Sequence, residues 1–164
     1  MDDITLGGYQ PGGLASLCAL QSKYYAREWG FDQRYEAVVS GNISEFLTRY
    51  DPQRDFIELV SQNEVIKGGI VIDSADGKIA QLHWFILHPD LQGSGMGTHL
   101  VSHAMAFVRE KKYPKVHLST FQGLNAARHI YEKAGFVLAE QKEAATWGRA
   151  VTEQRFEWAS SAHS

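Results

Sequence analysis

Three alternating glycines mark the stretch Gln92-Gly93-Ser94-Gly95-Met96-Gly97, which follows an apolar run ending at Pro89 and precedes an amphipathic segment. Glycines let backbone N–H groups turn toward a ligand without a Cβ in the way, and a helix N-terminus adds positive potential. We therefore expect a strand, a tight loop and a helix in this order, with the loop binding a pyrophosphate.

The residues around the glycines exclude three common motifs. A P-loop needs Lys followed by Ser or Thr after its last glycine, and here Thr98 follows directly. A dinucleotide fingerprint starting at Gly93 would need a glycine where Thr98 stands. A Gly-x-Ser-x-Gly nucleophile elbow would need a glycine in place of Gln92. A glycine-rich turn without a ligand remains the alternative.

Upstream of the loop, the pattern predicts two helices and then three strands. A helix is expected over residues 14–29, and a second one begins after Asp32, which is a suitable N-cap. Short apolar or alternating runs at 56–61, 65–73 and 78–88 are separated by turn residues. The three runs predict an antiparallel meander.

Downstream, helices alternate with single strands. We expect a helix over 97–112, a strand over 116–120 and a helix over 125–134. Two closing strands at 136–141 and 153–158 follow. The order predicts an α+β, or mixed α/β, fold around one central sheet.

Composition excludes several classes of protein. A formal net charge of -3 offers no basic face for nucleic acid. No apolar run approaches the roughly 20 residues that cross a bilayer, so no membrane partner is expected. The acidic start Met1-Asp2-Asp3 is unlike a secretory signal, and Cys18, in an apolar run, is read as a core residue. These features predict a cytoplasmic domain.

Two motifs together resemble a known family. Gln92, Gly95 and Gly97 match the Gln-x-x-Gly-x-Gly acetyl-CoA signature of the GNAT superfamily. Downstream, Ile130-Tyr131-Glu132-Lys133-Ala134-Gly135-Phe136 resembles the second motif of that superfamily. The resemblance implies one GNAT domain over residues 1–160, with 161–164 as a frayed tail. It also implies a mostly antiparallel splayed sheet with helices on both faces.

A narrower resemblance involves two further stretches. The run Tyr24-Tyr25-Ala26-Arg27-Glu28-Trp29-Gly30-Phe31 and the run Gln81-Leu82-His83-Trp84 are similar to the acetyltransferase half of MarR–GNAT fusion proteins. The resemblance implies an N-acetyltransferase that moves acetyl from acetyl-CoA to a small primary amine, with amino acids among the candidates, and it allows a homodimer. The alternatives are a catalytically silent acetyl-CoA-binding module and, less favoured, a flavodoxin-like nucleotide-binding protein.

The resemblance assigns a set of cofactor residues by position. The backbone of the strand before the loop would hold the pantetheine arm and polarise the acetyl carbonyl, and the loop amides would bind the pyrophosphate. Asn125 would contact the cofactor or only cap its helix. The full set is Phe85, Ile86, Leu87, Gln92, Gly93, Ser94, Gly95, Met96, Gly97, Thr98 and Asn125.

Catalytic roles follow in the same way. Tyr131 would be the general acid, because a neutral phenol can donate to the leaving thiolate. A glutamate base of many relatives is replaced by Gln81, so His83, two residues along the same strand face, is the best substitute, and Glu28 is the second candidate.

The acceptor would be bound by residues of flanking segments, namely Tyr25, Arg27, Glu28, Trp84 and Phe121. Arg27 suggests an acceptor carboxylate, although an exposed arginine more commonly pairs with an acidic neighbour. No metal is expected: His99 and His103 have the i,i+4 spacing of a metal pair, but they lack a third ligand and are read as a solvated face.

Overall fold

The structure is a computed structural model and describes residues 3–161. The strands are β1 (Ile4–Gly7), β2 (Phe56–Gln62), β3 (Val65–Asp73), β4 (Ile79–Leu87), β5 (Lys115–Phe121), β6 (Val137–Ala144) and β7 (Val151–Ala159). The helices are α1 (Gly13–Trp29), α2 (Gln33–Arg49), α3 (Met96–Lys111) and α4 (Asn125–Lys133), with a 3₁₀ turn at Pro89–Leu91. Within the described part of the chain, no helix is both long and apolar enough to span a membrane.

The strands form one sheet in the order β1-β2-β3-β4-β5-β7-β6. Every neighbouring pair is antiparallel except β4 and β5, which are parallel. Their pairing joins only Ile79–Gln81 to Lys115–His117, although both strands continue beyond it. The sheet therefore splays open between β4 and β5, as the α+β expectation with a splayed, mostly antiparallel sheet predicted.

Helices cover both faces of the sheet, which confirms the layered architecture. On one face α3 and α4 pack with Leu100, Met105 and Phe136 in a buried core. On the other face α1 and α2 bury Leu17 and Phe46 against the sheet. Each helix buries the one apolar stripe that its 3.6-residue period provides.

Local signals explain the boundaries of the first two helices. Gly30 takes the left-handed conformation that ends α1, with φ of 73°. The Asp32 carboxylate accepts a hydrogen bond from the Arg34 amide at 3.0 Å and so caps α2, as predicted. Gly41 does not interrupt α2.

Two features differ from the sequence expectations, and one expectation falls outside the described residues. β1 was not predicted, because it has only four residues, is largely exposed and pairs on one side only. β6 reaches Ala144 and β7 begins at Val151, so both closing strands are longer than expected. Residues 162–164 of the predicted tail lie outside the described residues.

A bulge in β4 sets the orientation of its second half. Gly69 pairs with Ile86 and Val71 pairs with His83, so two residues of β4 oppose one residue of β3. Trp84 in the bulge has a positive φ of 52°. As a result the neighbouring rings of His83 and Trp84 lie on the same face and stack, with centroids 4.3 Å apart and planes 14° apart.

The bulge depends on a close approach of the two backbones at Gly68. A Cβ there would lie 2.5 Å from the Ile86 carbonyl oxygen and 3.1 Å from the Leu87 Cα. Backbone atoms cannot move aside as a flexible side chain can. The strands can therefore keep this register only with a glycine at position 68.

We expect Gly68→Ala to lower the free energy of unfolding by about 2 kcal/mol, as for other overpacking changes. Gly41→Ala is the matched control: a Cβ at Gly41 meets nothing within 4 Å, so the same change in a helix should raise stability by about 0.5–1 kcal/mol. Urea unfolding measures both. Wild-type stability for Gly68→Ala would contradict the close approach.

Candidate active site

The splay between β4 and β5 opens onto a cavity of about 650 Å³, here called the glycine-loop cavity. It is bounded by the end of β4, the loop before α3, the start of α4 and the last turns of α1. The carboxyl-terminal part of β4, Phe85 to Leu87, lines it. Since this part lies beyond the pairing with β5, its edge is free of a neighbouring strand there.

The loop has the geometry of an anion cradle. Gly95 is the N-cap of α3 and has a φ of 86°. A Cβ at Gly93 or Gly95 would meet nothing within 4 Å, so the space above the loop is open. The first helical hydrogen bond runs from the His99 amide to Gly95, which leaves the Gly97 and Thr98 amides without helical carbonyls. These features fit a pyrophosphate.

Most of the predicted cofactor residues lie around this cavity. The lining includes Phe85, Ile86, Leu87, Gln92, Gly93, Gly95, Gly97, Thr98 and Asn125. Gln92 also ties the loop to β4, since its Nε2 donates to the Leu87 carbonyl at 3.1 Å. Asn125 is not a cap: Leu124 occupies the cap position and makes no side-chain capping bond.

Ser94 and Met96 are not among the lining residues. The Ser94 hydroxyl donates to the Leu91 carbonyl and accepts from the Met96 amide. The Met96 side chain packs against the core beneath α3. Both side chains therefore stabilise the loop from the side that faces away from the glycine-loop cavity.

A second cavity of about 240 Å³ lies on the α1–α2 side of the sheet and is called here the aromatic cavity. Its aromatic lining consists of Tyr25, Tyr35, Trp84, Phe85, Phe121, Tyr131 and Trp147. Its polar lining consists of Gln21, Asn42, Gln81, His83, Ser119 and Thr120. The two cavities share Tyr25, Phe85, Leu124 and Ala127, so they meet at the splay.

His83 belongs to a charged network at the edge of the aromatic cavity. Its Nε2 lies 3.6 Å from Oδ2 of Asp73. Arg49 donates two hydrogen bonds to the same carboxylate, at 2.7 and 3.0 Å. Burial alone would raise the pKa of Asp73, but interactions with His83 and Arg49 outweigh burial and hold that pKa well below its usual range.

The ionised Asp73 lies 3.6 Å from Nε2 of His83 and favours one position of the imidazole proton through its charge. The carboxylate accepts only, so it favours the tautomer with the proton on Nε2. The Nδ1 atom is then the one that can accept a proton. Gln81 lies on the same face of β4, as predicted, because the bulge comes after His83.

Tyr131 lies between the core and the aromatic cavity. Its ring packs edge-on against Phe85, with centroids 5.9 Å apart, and the residue is 6% exposed. Burial, with a smaller contribution from Tyr25, raises the pKa of Tyr131 far above its usual range. The phenol therefore remains neutral and keeps its proton available as a donor.

Of the acceptor residues predicted from sequence, three line a cavity and two do not. Tyr25, Trp84 and Phe121 line the cavities. Arg27 and Glu28 line neither cavity: they pair with each other at 3.6 Å, with more than half of each side chain exposed, and their role in acceptor binding stays a prediction. Arg27 lies two residues after the buried Tyr25, which is about 200° around the helix.

The two histidines of α3 are also distinct. His99 is exposed, but His103 lies 2.8 Å from a Glu58 carboxylate oxygen through its Nδ1, so it is not simply solvated as predicted. Among residues 3–161, no group of three His, Cys, Asp or Glu side chains could hold a metal ion.

Sequence reasoning missed several residues of the site. Gln21 is a polar residue on the buried stripe of α1, and this mismatch was a usable signal. Tyr35 is buried and also lines the aromatic cavity, and its position on the second helix gave no signal of this. Asp73 and Arg49 are 24 residues apart, so no local pattern connects them.

Comparison with known proteins gives one family. The sequence model described as "Acetyltransferase (GNAT) family" matches residues 14–136. Among curated proteins, no match is found.

Solved structures share the whole fold at low identity. An acetyltransferase from Streptococcus agalactiae is 19% identical with a TM-score of 0.69, covering 96% of this chain and 98% of its own. A GNAT family acetyltransferase from Elizabethkingia anophelis, with acetyl-CoA bound, is 17% identical with a TM-score of 0.66, and the match covers 98% of this chain and 100% of that one. The ribosomal-protein-S18-alanine N-acetyltransferase from Escherichia coli is 17% identical with a TM-score of 0.69, covering 96% and 94%.

The cradle geometry predicts the effect of a side chain at its centre. We expect Gly95→Val to abolish the thermal stabilisation given by coenzyme A, because the new side chain would fill the open space above the loop. Gly12→Val at the N-cap of α1 is the control: Gly12 has a similar φ of 82° and its Cβ also meets nothing within 4 Å, so the variant carries the same backbone strain and should leave the shift unchanged. Thermal unfolding with and without coenzyme A measures both, and an undiminished shift in Gly95→Val would contradict the assignment.

Proposed function

The chain belongs to the acetyltransferase (GNAT) family, and from this premise we propose that it transfers acetyl to a small primary amine by direct attack. Acetyl-CoA is the co-substrate of the family and supplies the acetyl group as a thioester. The observation that carries the proposal is the meeting of the two cavities at Tyr25, Phe85, Leu124 and Ala127. A donor in one cavity and an amine in the other would be in contact only there.

The glycine-loop cavity suits the donor. The open amides of Gly97 and Thr98, at the N-terminus of α3, would receive the pyrophosphate. The unpaired edge of β4 from Phe85 to Leu87 would bind the pantetheine arm as a strand edge binds a peptide. Asn125 lines the same cavity at the start of α4 and would contact the donor there.

The aromatic cavity suits an amine, with His83 as proton acceptor. Amines are largely protonated at neutral pH, so a proton must leave before or during attack. With Nε2–H directed at Asp73, Nδ1 of His83 would take that proton, directly or through a water. Arg49 and Asp73 would position His83 without contacting the amine.

Tyr131 would serve at the other end of the reaction. As the new C–N bond forms and the C–S bond breaks, negative charge develops on sulfur. The buried neutral phenol of Tyr131 would donate its proton or a hydrogen bond to that sulfur. The positions of Tyr131 and His83 on the same cavity support this division of roles.

A catalytically silent acetyl-CoA-binding module is the second candidate. The feature that favours it is Gln81, a side chain without basic character at the position where many relatives carry a glutamate. Thiol release from acetyl-CoA over a panel of small amines separates the two. Thermal stabilisation by coenzyme A without thiol release on any amine would favour the silent module.

Three finer points are part of the proposal. The runs over 24–31 and 81–84, which resemble MarR–GNAT fusion proteins, both contribute to the cavities, which supports kinship with that branch. A cytoplasmic location would suit a protein that draws on acetyl-CoA. A homodimer stays a prediction, which sedimentation of the purified chain would test.

We expect Tyr131→Phe to lower kcat about 10²- to 10⁴-fold, because the ring stays packed while the proton donor is lost. Tyr35→Phe is the control, since Tyr35 is buried in the same cavity but has no proposed proton role; it should change KM more than kcat. Steady-state thiol release gives both constants. A full-rate Tyr131→Phe would remove Tyr131 from the mechanism.

We expect His83→Gln to lower kcat/KM about 10²-fold or more, because the proposed proton acceptor is replaced by a polar side chain without basic character. Asp73→Asn should lower kcat/KM less, because His83 is kept and only its charged partner is lost. Steady-state thiol release measures both variants. A full-rate His83→Gln would clear His83 of the role.

A further inference from the structure

Resting on the proposed function, we infer that the aromatic cavity selects an amine carried on an uncharged, ring-sized apolar body and rejects amines that also bear a carboxylate. This replaces the amino-acid acceptor that Arg27 suggested, since Arg27 lies outside the cavity. The inference rests on the rings, the charges and one unpaired amide of the cavity.

Four aromatic side chains form a closed circuit in the wall. Tyr25 contacts Tyr35 and Phe121, with centroids 5.3 and 5.4 Å apart, and Trp147 contacts both of those rings at 5.7 Å. Phe31 backs the circuit and touches all four rings at 5.2 to 6.0 Å. Such a wall offers ring faces and edges for apolar or cationic groups, and no site for an anion.

The described lining of the aromatic cavity contains no lysine or arginine that could pair with a carboxylate. None of the described residues that line the aromatic cavity is Asp, Glu, Lys or Arg. The nearest cation in the network, Arg49, already donates to both oxygens of Asp73. A carboxylate here would accept hydrogen bonds only from neutral donors, such as the hydroxyls of Ser119 and Thr120, and no lysine or arginine of the described lining would compensate its charge. A second ammonium group would likewise find no carboxylate in the lining.

Gln21 provides an unused hydrogen-bond acceptor. It is 6% exposed and lines the aromatic cavity. Its side-chain carbonyl has no hydrogen-bond partner among residues 3–161. A buried carbonyl without a donor is unfavourable, and the N–H group of an amine is a donor that could satisfy it. This observation favours a ligand that carries a hydrogen-bond donor, independently of the aromatic wall.

The size of the cavity suits one ring and a short chain. An apolar cavity of about 150 Å³ in another protein binds benzene, and the aromatic cavity measures about 240 Å³. A bound 2-phenylethylamine would have its ring against the aromatic circuit and its amine toward His83 and the shared residues.

The test compares matched ligands in the presence of coenzyme A. The probes are 2-phenylethylamine, phenylalanine, which differs only by a carboxylate, and the diamine putrescine. Isothermal titration calorimetry of the wild-type chain should give a Kd for 2-phenylethylamine at least tenfold below those of the other two. A Kd for phenylalanine or putrescine equal to or lower than that for 2-phenylethylamine would overturn the inference, as would no measurable binding of 2-phenylethylamine.

Thiol release with the same probes separates this inference from the proposed function. Selective binding of 2-phenylethylamine without thiol release on any amine of the panel would support the inference and overturn the proposed function. Acetylation of phenylalanine or putrescine in preference to 2-phenylethylamine would support the proposed function and overturn the inference.

Two variants sharpen the assignment. Gln21→Leu should raise the unfolding temperature, because it removes the unpaired carbonyl. It should also raise the Kd for 2-phenylethylamine about tenfold. An unchanged Kd would show that Gln21 does not contact the ligand. Asn42→Arg adds a cation at the cavity. It should therefore lower the ratio of the Kd for phenylalanine to the Kd for 2-phenylethylamine at least threefold. Ser40→Arg, on the same helix but outside the lining, should leave the preference unchanged. Equal effects of the two arginines would contradict a charge-poor cavity.

Discussion

The parallel pairing of β4 with β5 ends after three residue pairs, and both cavities depend on that early end. Had the ladder continued, the edge of β4 from Phe85 to Leu87 would be hydrogen-bonded to β5 and closed to any ligand. Instead α4 and the loop before α3 border one opening, and α1 and α2 border the other. A single break in hydrogen bonding thus creates two cavities that meet at one point.

The bulge in β4 determines which side chains of that strand face the aromatic cavity. A regular strand would place His83 and Trp84 on opposite faces. With Trp84 at a positive φ, both rings face the α1–α2 side and stack there. The strain of that conformation is tolerated because Gly68 lets β3 come close enough to hold the register. Gly68 of β3 and the bulge of β4 therefore depend on each other.

How far sequence reasoning reaches depends on how local the cause is. The Asp32 cap, the α3 start at the glycine loop and the meander were predictable because each is decided within a few residues. The bulge was not, because its cause lies in Gly68 of a different strand. Arg27 lies outside the lining of both cavities, because closeness along the chain says nothing of rotation around a helix. Gln21 was missed although a glutamine on a buried stripe is itself unusual.

The network of Arg49, Asp73 and His83 explains why a charged site coexists with an uncharged cavity. Arg49 satisfies Asp73 through two hydrogen bonds, so that carboxylate can remain ionised although buried. The Asp73 carboxylate also interacts with His83. The opposite charges of Arg49 and Asp73 cancel at longer range. The cavity beyond is left to aromatic rings and neutral amides. In the proposed reaction, His83 would separate the charged network from the apolar cavity, and the site would accept a proton without favouring a charged substrate body.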